Sequence, residues 1–269
     1  ALKYDISANV STLKNKVTSL GIGKNSYITG AYATYVGQEI GKFYGWVYEG
    51  IARTQDELDG HATQQGANVG DCLYKDISGP NGEPDGVIDA YDQTVLGSGL
   101  PKVNFGLSTH MEYKGFDLNI STYGVLNYHV SDDIYNSLNS CYGYGNKEVG
   151  MLDANRWSED GSTYLSSVPR TYAANNATLG WNDLFSSRKI QNAAYWKIAN
   201  VELGYNFPDK WFGGYVSGVR LYVSAQNLYT FTGYHGYNVD YAGGTFTPGY
   251  NFCSFPSART FMCGLHFTF

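Results

Sequence analysis

The sequence predicts an all-β protein: an antiparallel transmembrane β-barrel of about eight strands with long extracellular loops. Three observations support this fold class. Apolar and polar residues alternate over long stretches, as in strands whose two faces meet different surroundings. The connections between these stretches alternate in length. Aromatic residues reach 16% of the 269 residues and charged residues only 16%, where about 25% charged is usual.

Alternation is clearest in six segments, and each predicts one strand: 2–10, 103–113, 116–121, 201–207, 219–226 and 261–269. Weaker strands are expected at 26–36 and 40–51. Several of the predicted strands approach ten residues, the length that crosses a bilayer at a tilt of about 45°. Strands of soluble proteins are usually about five or six residues long.

The predicted connections sort by length, in the order 14–25, 37–39, 52–100, 114–115, 129–192, 207–217 and 232–258. Transmembrane barrels alternate short periplasmic turns with long extracellular loops. Counting back from the C-terminus places 114–115 and 207–217 on the periplasmic side. The two longest loops are large for the rim of an eight-stranded barrel, and the chain begins inside a strand. An arc of a larger barrel is therefore expected.

Composition excludes several classes of protein. With 18 Lys and Arg against 24 Asp and Glu, the chain lacks the basic surplus of a nucleic-acid binder. No apolar run approaches the 18 residues of a transmembrane helix. Cys72, Cys141, Cys253 and Cys263 form no C-x-x-C motif, and the sequence cannot choose among their three disulfide connectivities.

Residues 81–92 match the spacing of an EF-hand-type calcium loop. The predicted ligands are Asn81, Glu83, Asp85, Val87 (through its carbonyl), Asp89 and Asp92. Ca²⁺ takes six to eight oxygens, and Gly86 permits the sharp turn. The loop departs from the pattern at both ends and contains Pro84, so an acidic turn without metal is the alternative. A bound ion would rigidify loop 52–100.

A second candidate site is the aromatic loop 129–192. The predicted substrate-binding residues are Tyr142, Tyr144, Arg156, Trp157, Arg170 and Trp181. Aromatic faces stack on sugar rings or peptide side chains, and Arg clamps carboxylates. Internal packing of a large loop is the alternative.

The sequence offers no catalytic motif. Its five His residues are isolated, with no H-E-x-x-H pattern, and neither G-x-S-x-G nor a Gly-rich phosphate loop occurs. The protein is therefore expected not to be an enzyme, and it requires no cofactor. The charged side chains of Glu112, Glu202, Arg220 and Lys102 are expected to face the barrel lumen and tune its field.

Several segments, taken together, resemble one family. The last nine residues alternate and end in Phe, like the C-terminal targeting signal of outer-membrane barrels. The others are GWVYEGI (45–51), GVID (86–89), LPK (100–102), NRW (155–157), VELGYNFP (201–208), VRLYVSAQNLYTF (219–231) and FPSARTF (255–261). In this order they resemble the SusC/RagA-like TonB-dependent transporters of the Bacteroidetes outer membrane.

The resemblance implies that residues 1–269 are the C-terminal part of a longer chain with a 22-stranded barrel. The plug domain and the TonB box are then expected upstream of Ala1. The implied function is import of a large solute, an oligosaccharide or a peptide, across the outer membrane. The implied partners are a SusD-like surface lipoprotein, the remaining barrel and plug, TonB through the missing N-terminal part, and outer-membrane lipid.

Two alternatives remain at this point. One is a complete small barrel with a structural or adhesive role, which would require strands 1–11 and 259–269 to pair. The other is a soluble, calcium-binding β-sandwich that binds or cleaves glycans, which leaves the sorting of the loops by length unexplained.

Overall fold

The computed structural model describes residues 1–21, 23–141, 146–151, 156–159, 163, 165–171, 180–212, 216–240, 243–252 and 254–268. Its strands are β1 (Lys3–Thr12), β2 (Ser26–Thr29), β3 (Tyr32–Tyr35), β4 (Lys42–Gly45), β5 (Tyr48–Ile51), β6 (Cys72–Tyr74), β7 (Thr94–Ser98), β8 (Val103–Tyr113), β9 (Phe116–Leu126), β10 (His129–Asp132), β11 (Gln191–Asn192), β12 (Tyr195–Phe207), β13 (Gly218–Thr232), β14 (Tyr250–Asn251) and β15 (Thr260–Thr268).

The α-helices are short, α1 (Gln55–Asp59) and α2 (Asp133–Leu138). Single 3-10 turns lie at Ala90–Asp92, Val149–Met151, Trp181–Asp183, Ser187–Lys189 and Asp209–Trp211. Among the described residues, no helix is long and apolar enough to cross a membrane.

The long strands form one six-stranded sheet in the order β1-β8-β9-β12-β13-β15, with every neighbour antiparallel. Lys114 and Gly115 join β8 to β9, and both have positive φ (48° and 89°). Two central residues with positive φ match the twist of a tight hairpin, and Gly adopts that conformation without strain. The sheet therefore follows the chain order of its strands.

The two edges of this sheet carry connections of different length. The strand ends on one side of the sheet are joined by 13–102, 127–194 and 233–259, and we call this row of strand ends the long-connection edge. The opposite, short-connection edge carries 114–115 and 208–217. The predicted sorting by length is thus confirmed for the connections that follow β8, and it is what a transmembrane barrel wall requires. The predicted connections 14–25, 37–39 and 52–100 are instead parts of the single connection 13–102.

The sheet has six strands rather than the expected eight. Segments 26–36 and 40–51 form β2 to β5, which belong to two separate small sheets, β2-β3-β4-β7 and β5-β6. Tyr32, Ala33 and Phe43 are buried there. Alternation reports that one face of a strand is buried, but not which partner buries it, so these loop strands resembled wall strands in the sequence.

One face of the six-stranded sheet is apolar and largely exposed. Its exposed members include Tyr4, Ile6, Val10, Leu107, Phe116, Trp196, Leu203, Leu221, Val223, Phe231, Phe261, Leu265 and Phe267. Aromatic pairs lie at both ends of this apolar face. Trp196 stacks on Phe231 at 5.3 Å near the long-connection edge, and Phe116 meets Tyr205 at 4.6 Å near the other. Such girdles mark the interfaces of a membrane-spanning wall.

An irregularity divides β12 into two phases. The register shifts between Ile198 and Asn200, so Ala199 is an extra residue relative to β9. On β13, Asn227 and Leu228 lie opposite Ala199, and the φ of Asn227 is 52°. A bulge of this kind changes the face to which side chains point. Trp196 therefore lies on the apolar face although it breaks the period-2 pattern of 201–207. Its partner Phe231 keeps the period of Val219, Leu221 and Val223.

The sheet is an open arc. β1 and β15 are its outer strands and, within the described residues, they do not pair with each other. Every residue of β1 is exposed. The alternative of a self-contained small barrel requires that missing pairing, so the structure contradicts it.

The long connections have cores of their own. One cluster joins Cys72, Tyr74, Ile88 and Trp181, which come from two different connections. A second cluster lies where the sheet meets its long-connection edge and contains Val125, Tyr128, Val130, Ala193, Tyr195, Tyr234 and Val239. The loops are therefore packed layers above the wall.

Candidate solute-facing site

The second face of the sheet, which we call the polar face, carries a group of paired charges. Asp117 is buried and receives two hydrogen bonds from Arg220, from Nε at 3.0 Å and from Nη2 at 2.5 Å. Arg220 also donates to Glu202 at 2.7 Å, and Asn206 donates to Asp117 at 2.9 Å. Forked pairs of this type fix both partners in one orientation.

Gly204 makes room for this network. It lies directly opposite Asp117 in the register of β9 and β12. A Cβ at this position would lie 2.5 Å from Asp117 Oδ2 and 2.5 Å from Arg220 Nη2. A side chain at position 204 would therefore collide with the Asp117–Arg220 pair, which explains the glycine in the predicted strand 201–207.

A more exposed charge chain runs beside it. Lys3 meets Glu112 at 3.2 Å, Glu112 meets His110 Nε2 at 3.1 Å, and His110 Nδ1 lies 2.6 Å from Asn119. Glu112, Glu202 and Arg220 lie on the polar face, the side expected to face the lumen. Lys102 precedes β8 and pairs with Glu39 at the long-connection edge, so its lumen-facing position stays a prediction.

A cavity of 390 Å³ opens where the polar face meets the long-connection edge. Its lining includes Asn104, Tyr123, Tyr128, Tyr195 and Asp240. Asp240 accepts hydrogen bonds from Lys197 and from the Tyr123 hydroxyl, so its charge is compensated. Tyrosines with a few polar groups suit stacking on a neutral ring and hydrogen bonding to hydroxyl or amide groups.

The described members of the predicted substrate set lie in the framework of the long connections. Arg170 forms a bidentate pair with buried Asp71, at 2.7 and 2.8 Å, and Asn182 donates to the same carboxylate at 2.8 Å. We call Asp71, Arg170 and Asn182 the loop clasp. It ties 13–102 to 127–194, and no sequence motif indicated Asp71.

The other described members of the set are also internal. Arg156 is buried and donates to the Pro169 carbonyl at 3.4 Å. Trp157 packs against Gly70, where a Cβ would lie 2.4 Å from its ring, and Trp181 donates from Nε1 to the Gln65 carbonyl at 3.1 Å. Tyr142 and Tyr144 lie outside the described residues. A substrate-binding role for this set stays a prediction.

A buried polar triad holds the third long connection in place. The Tyr234 hydroxyl donates to Asp132, and Asn251 Nδ2 lies 2.9 Å from both of them. Burial, followed by the hydrogen bond to Asp132, raises the pKa of Tyr234. Asp132 also accepts the Tyr135 backbone N–H at 2.8 Å and so caps α2. No sequence motif indicated this triad, because Asp132 lies more than 100 residues from Tyr234 and Asn251 along the chain.

The predicted calcium ligands have local partners. Asp92 is buried and accepts backbone N–H groups from Ile77, Ser78 and Asp89 at 2.7, 3.1 and 2.8 Å. Asp85 accepts the Val87 N–H and Asp89 the Tyr91 N–H. Asn81, Glu83 and Val87 are exposed on the same turn. Within the described residues, no group of three or more His, Cys, Asp or Glu is arranged to hold a metal.

Calcium binding in this loop stays a prediction, and calorimetry tests it. If the loop binds calcium, titration of CaCl₂ into the full-length protein should give a saturable heat. Replacing Asp85 and Asp89 together by Asn should abolish this heat, because both are predicted carboxylate ligands of the ion. Asp59→Asn, on exposed α1, is the matched control. A titration without saturable heat would leave the hydrogen-bonded acidic turn as the explanation of the motif.

An antiparallel wall with one girdled apolar face and one charged face is a segment of an outer-membrane-type β-barrel. No protein-family model matches the sequence. Curated relatives do. The chain is 30% identical over 284 residues to TonB-dependent receptor P3 of Formosa agariphila, covering 99% of this chain and 27% of the receptor. It is 25% identical over 278 residues to TonB-dependent receptor SusC of Bacteroides thetaiotaomicron, covering 99% of this chain and 24% of that receptor.

Solved structures agree on the fold. The RagAB peptide transporter matches with a TM-score of 0.76 at 21% identity, over 98% of this chain and 26% of that one. The open-open state of the RagAB peptide importer matches with a TM-score of 0.76 at 22% identity, over 100% of this chain and 27% of that one.

The resemblance seen in the sequence is therefore confirmed: the chain is similar, over nearly its whole length, to a segment of SusC-type TonB-dependent receptors. It spans about a quarter of the length of the curated relatives it matches. These relatives are named as receptors, and the structural neighbours as transporters or importers. The glycan-cleaving β-sandwich alternative has no support among them.

Proposed function

We propose that this chain is the C-terminal part of a TonB-dependent outer-membrane importer of a large solute. Residues 1–269 supply six wall strands and the outer loops above them. The observation that carries the proposal is the sheet itself, with a girdled apolar face, a charged polar face, and all its long connections on one edge. The plug, the remaining strands and the TonB box then belong to the rest of the protein.

In this proposal each part of the chain has a physical task. The apolar face contacts outer-membrane lipid. The polar face borders the path of the solute, where the Asp117–Arg220–Glu202 network presents fixed charges without leaving one unpaired. The long connections face outward, and the tyrosine-lined cavity at the top of the polar face gives an oligosaccharide or a peptide its first contacts.

A SusD-like lipoprotein is the proposed partner on the outer side. The third long connection carries exposed aromatic side chains, with Phe255 88% exposed and Tyr237 and Phe252 also exposed. Exposed aromatic residues are typical of protein interfaces. Their place on the long-connection edge supports contact with a surface partner.

Fractionation of the source cells tests the location and the size. We expect an antibody against residues 260–268 to detect the protein in the outer-membrane fraction, as a band several times heavier than 29.6 kDa. The mass follows from the share of the relatives that this chain covers. A band in the soluble fraction would contradict the membrane location. A band near 30 kDa would contradict the larger importer.

Uptake by whole cells tests the import. Cells lacking the gene, complemented with the full-length protein, should accumulate a labelled oligosaccharide or peptide only when TonB is present. A small solute that passes through porins is the control for membrane integrity. Equal uptake with and without TonB would contradict the proposal.

A further inference from the structure

A second cavity lies within the long connections, away from the polar face. It encloses 310 Å³ between β5, α2 and the 3-10 turn Ser187–Lys189. Two cations line it, Arg188 and Lys189, together with Tyr48, Tyr135, Asn136 and Asn139. We call it the cationic cavity.

Arg188 has no carboxylate partner among the described residues, and it forms no hydrogen bond with them. The ionisable groups that affect it most are Cys72, Cys141, Tyr48 and Tyr74. Burial raises the pKa of the Cys72 thiol to about 12 and raises the pKa of Tyr48, Tyr74 and Cys141 as well. All four are therefore neutral near pH 7, so the guanidinium charge is not compensated.

Lys189 adds a second charge that is only partly compensated. Its ammonium donates to the Asp183 backbone carbonyl at 2.5 Å and lies 3.8 Å from the Asp183 carboxylate. That carboxylate already accepts the Ser140 hydroxyl at 2.9 Å and the Cys141 N–H at 3.0 Å. Asn139, which lines the cavity, donates to Glu148 at 2.9 Å, and Glu148 is not one of the lining residues. The shared Asp183 thus leaves the cavity with a surplus of positive charge.

We propose that the cationic cavity binds a carboxylate group carried by the imported solute. A guanidinium offers paired N–H donors that match the two oxygens of a carboxylate. A cavity of 310 Å³ is at the small end of ligand sites, with room for one residue of a larger solute. The tyrosines and the Asn136 amide are available to the polar groups beside the carboxylate.

That the bound molecule is the imported solute rests on the proposed function. Two kinds of solute carry the required group, a peptide with its C-terminal carboxylate and an oligosaccharide with uronate residues. Each has a neutral counterpart that differs only in the charge, the peptide amide and the methyl-esterified oligosaccharide.

Binding to the purified full-length protein in detergent tests the proposal. The probes are a tetrapeptide with a free C-terminus, its C-terminal amide, a tetragalacturonate and its methyl ester. We expect one carboxylate probe to bind at least about tenfold more tightly than its neutral counterpart, because hydrogen bonds between two charged groups are stronger than those to a neutral group. Arg188→Gln should remove this preference, and Arg188→Lys should retain part of it.

Lys210→Gln is the matched control, since it removes one charge from an exposed residue near the short-connection edge. It should leave the preference unchanged. Should Arg188→Gln fail to fold, the preference in the native protein must still fall as NaCl is raised. The class of probe that binds identifies the source of the carboxylate.

Equal binding of the charged and neutral members of both pairs would overturn the proposal, as would a preference that Arg188→Gln leaves intact. These measurements need neither TonB nor a membrane potential. Carboxylate binding can therefore fail while TonB-dependent uptake stands, and a failure of uptake leaves the binding result interpretable.

Discussion

Replacing Arg220 by Met should destabilise the wall by about 3 kcal/mol, because removing one partner of a buried ion pair leaves the other charge uncompensated. Asp117 is buried and would retain only the Asn206 donor among its side-chain partners. Glu202 would lose its bond to Arg220 at the same time. The free energy of unfolding in urea, with the protein in detergent micelles, measures the effect.

Two variants separate this loss from a general effect of mutating the polar face. Lys3→Met removes a partner of Glu112, but Lys3 is 80% exposed, and exposed pairs are worth about 0–1 kcal/mol. Asp117→Asn combined with Arg220→Met should be more stable than Arg220→Met alone, since no charge at Asp117 is then left unpaired. Equal stability of Lys3→Met and Arg220→Met would contradict the importance of the buried pair.

Replacing Asp71 by Ala should open the loop clasp and destabilise the long connections by about 3 kcal/mol. Asp71 is 4% exposed, and its carboxylate accepts hydrogen bonds from Arg170, Asn182 and the Asn68 backbone. The substitution leaves these donors without an acceptor. Limited proteolysis should then cut within 127–194 at protease concentrations that spare the native protein.

The effect should remain confined to the loops. Heat-modifiable migration on SDS gels, which reports the folded barrel, should change little, because Asp71 lies outside the six-stranded sheet. Asp59→Ala, at the end of exposed α1, is the matched control and should leave the cleavage pattern unchanged. Resistance of the Asp71→Ala variant to proteolysis would show that the hydrophobic cluster around Trp181 holds the loops without the clasp.

The wall could be predicted because its strands meet two different environments. Alternation in β1, β8, β9, β13 and β15 records an apolar side and a polar side along nearly the whole strand, and the structure pairs these segments in chain order. Alternation does not reveal the partner that covers the apolar side. For this reason β3 and β4, whose Tyr32 and Phe43 pack inside the loops, resembled wall strands.

The charged sites were only partly predictable. Glu202 and Arg220 stand on the polar side of clearly alternating strands, so their position followed from the pattern. Asp71 and Arg188 lie in irregular segments, where neither period nor spacing shows which side chains are buried. Asp71 matters because of a partner more than 90 residues away in sequence, Arg170. Arg188 matters because it has no carboxylate partner among the described residues.

The paired irregularity near Ala199 and Asn227 has a consequence for how this strand pair tolerates changes of length. Deleting Ala199 would make β12 a regular partner of β9 and would leave Trp196 on the apolar face and Lys197 on the polar face. It would, however, raise the excess of β13 over β12 from one residue to two at this point, since Asn227 and Leu228 would then face no residue of β12. Insertions and deletions in these strands should therefore survive in evolution only where β12 and β13 change together, whereas the loops above them are free to vary one at a time.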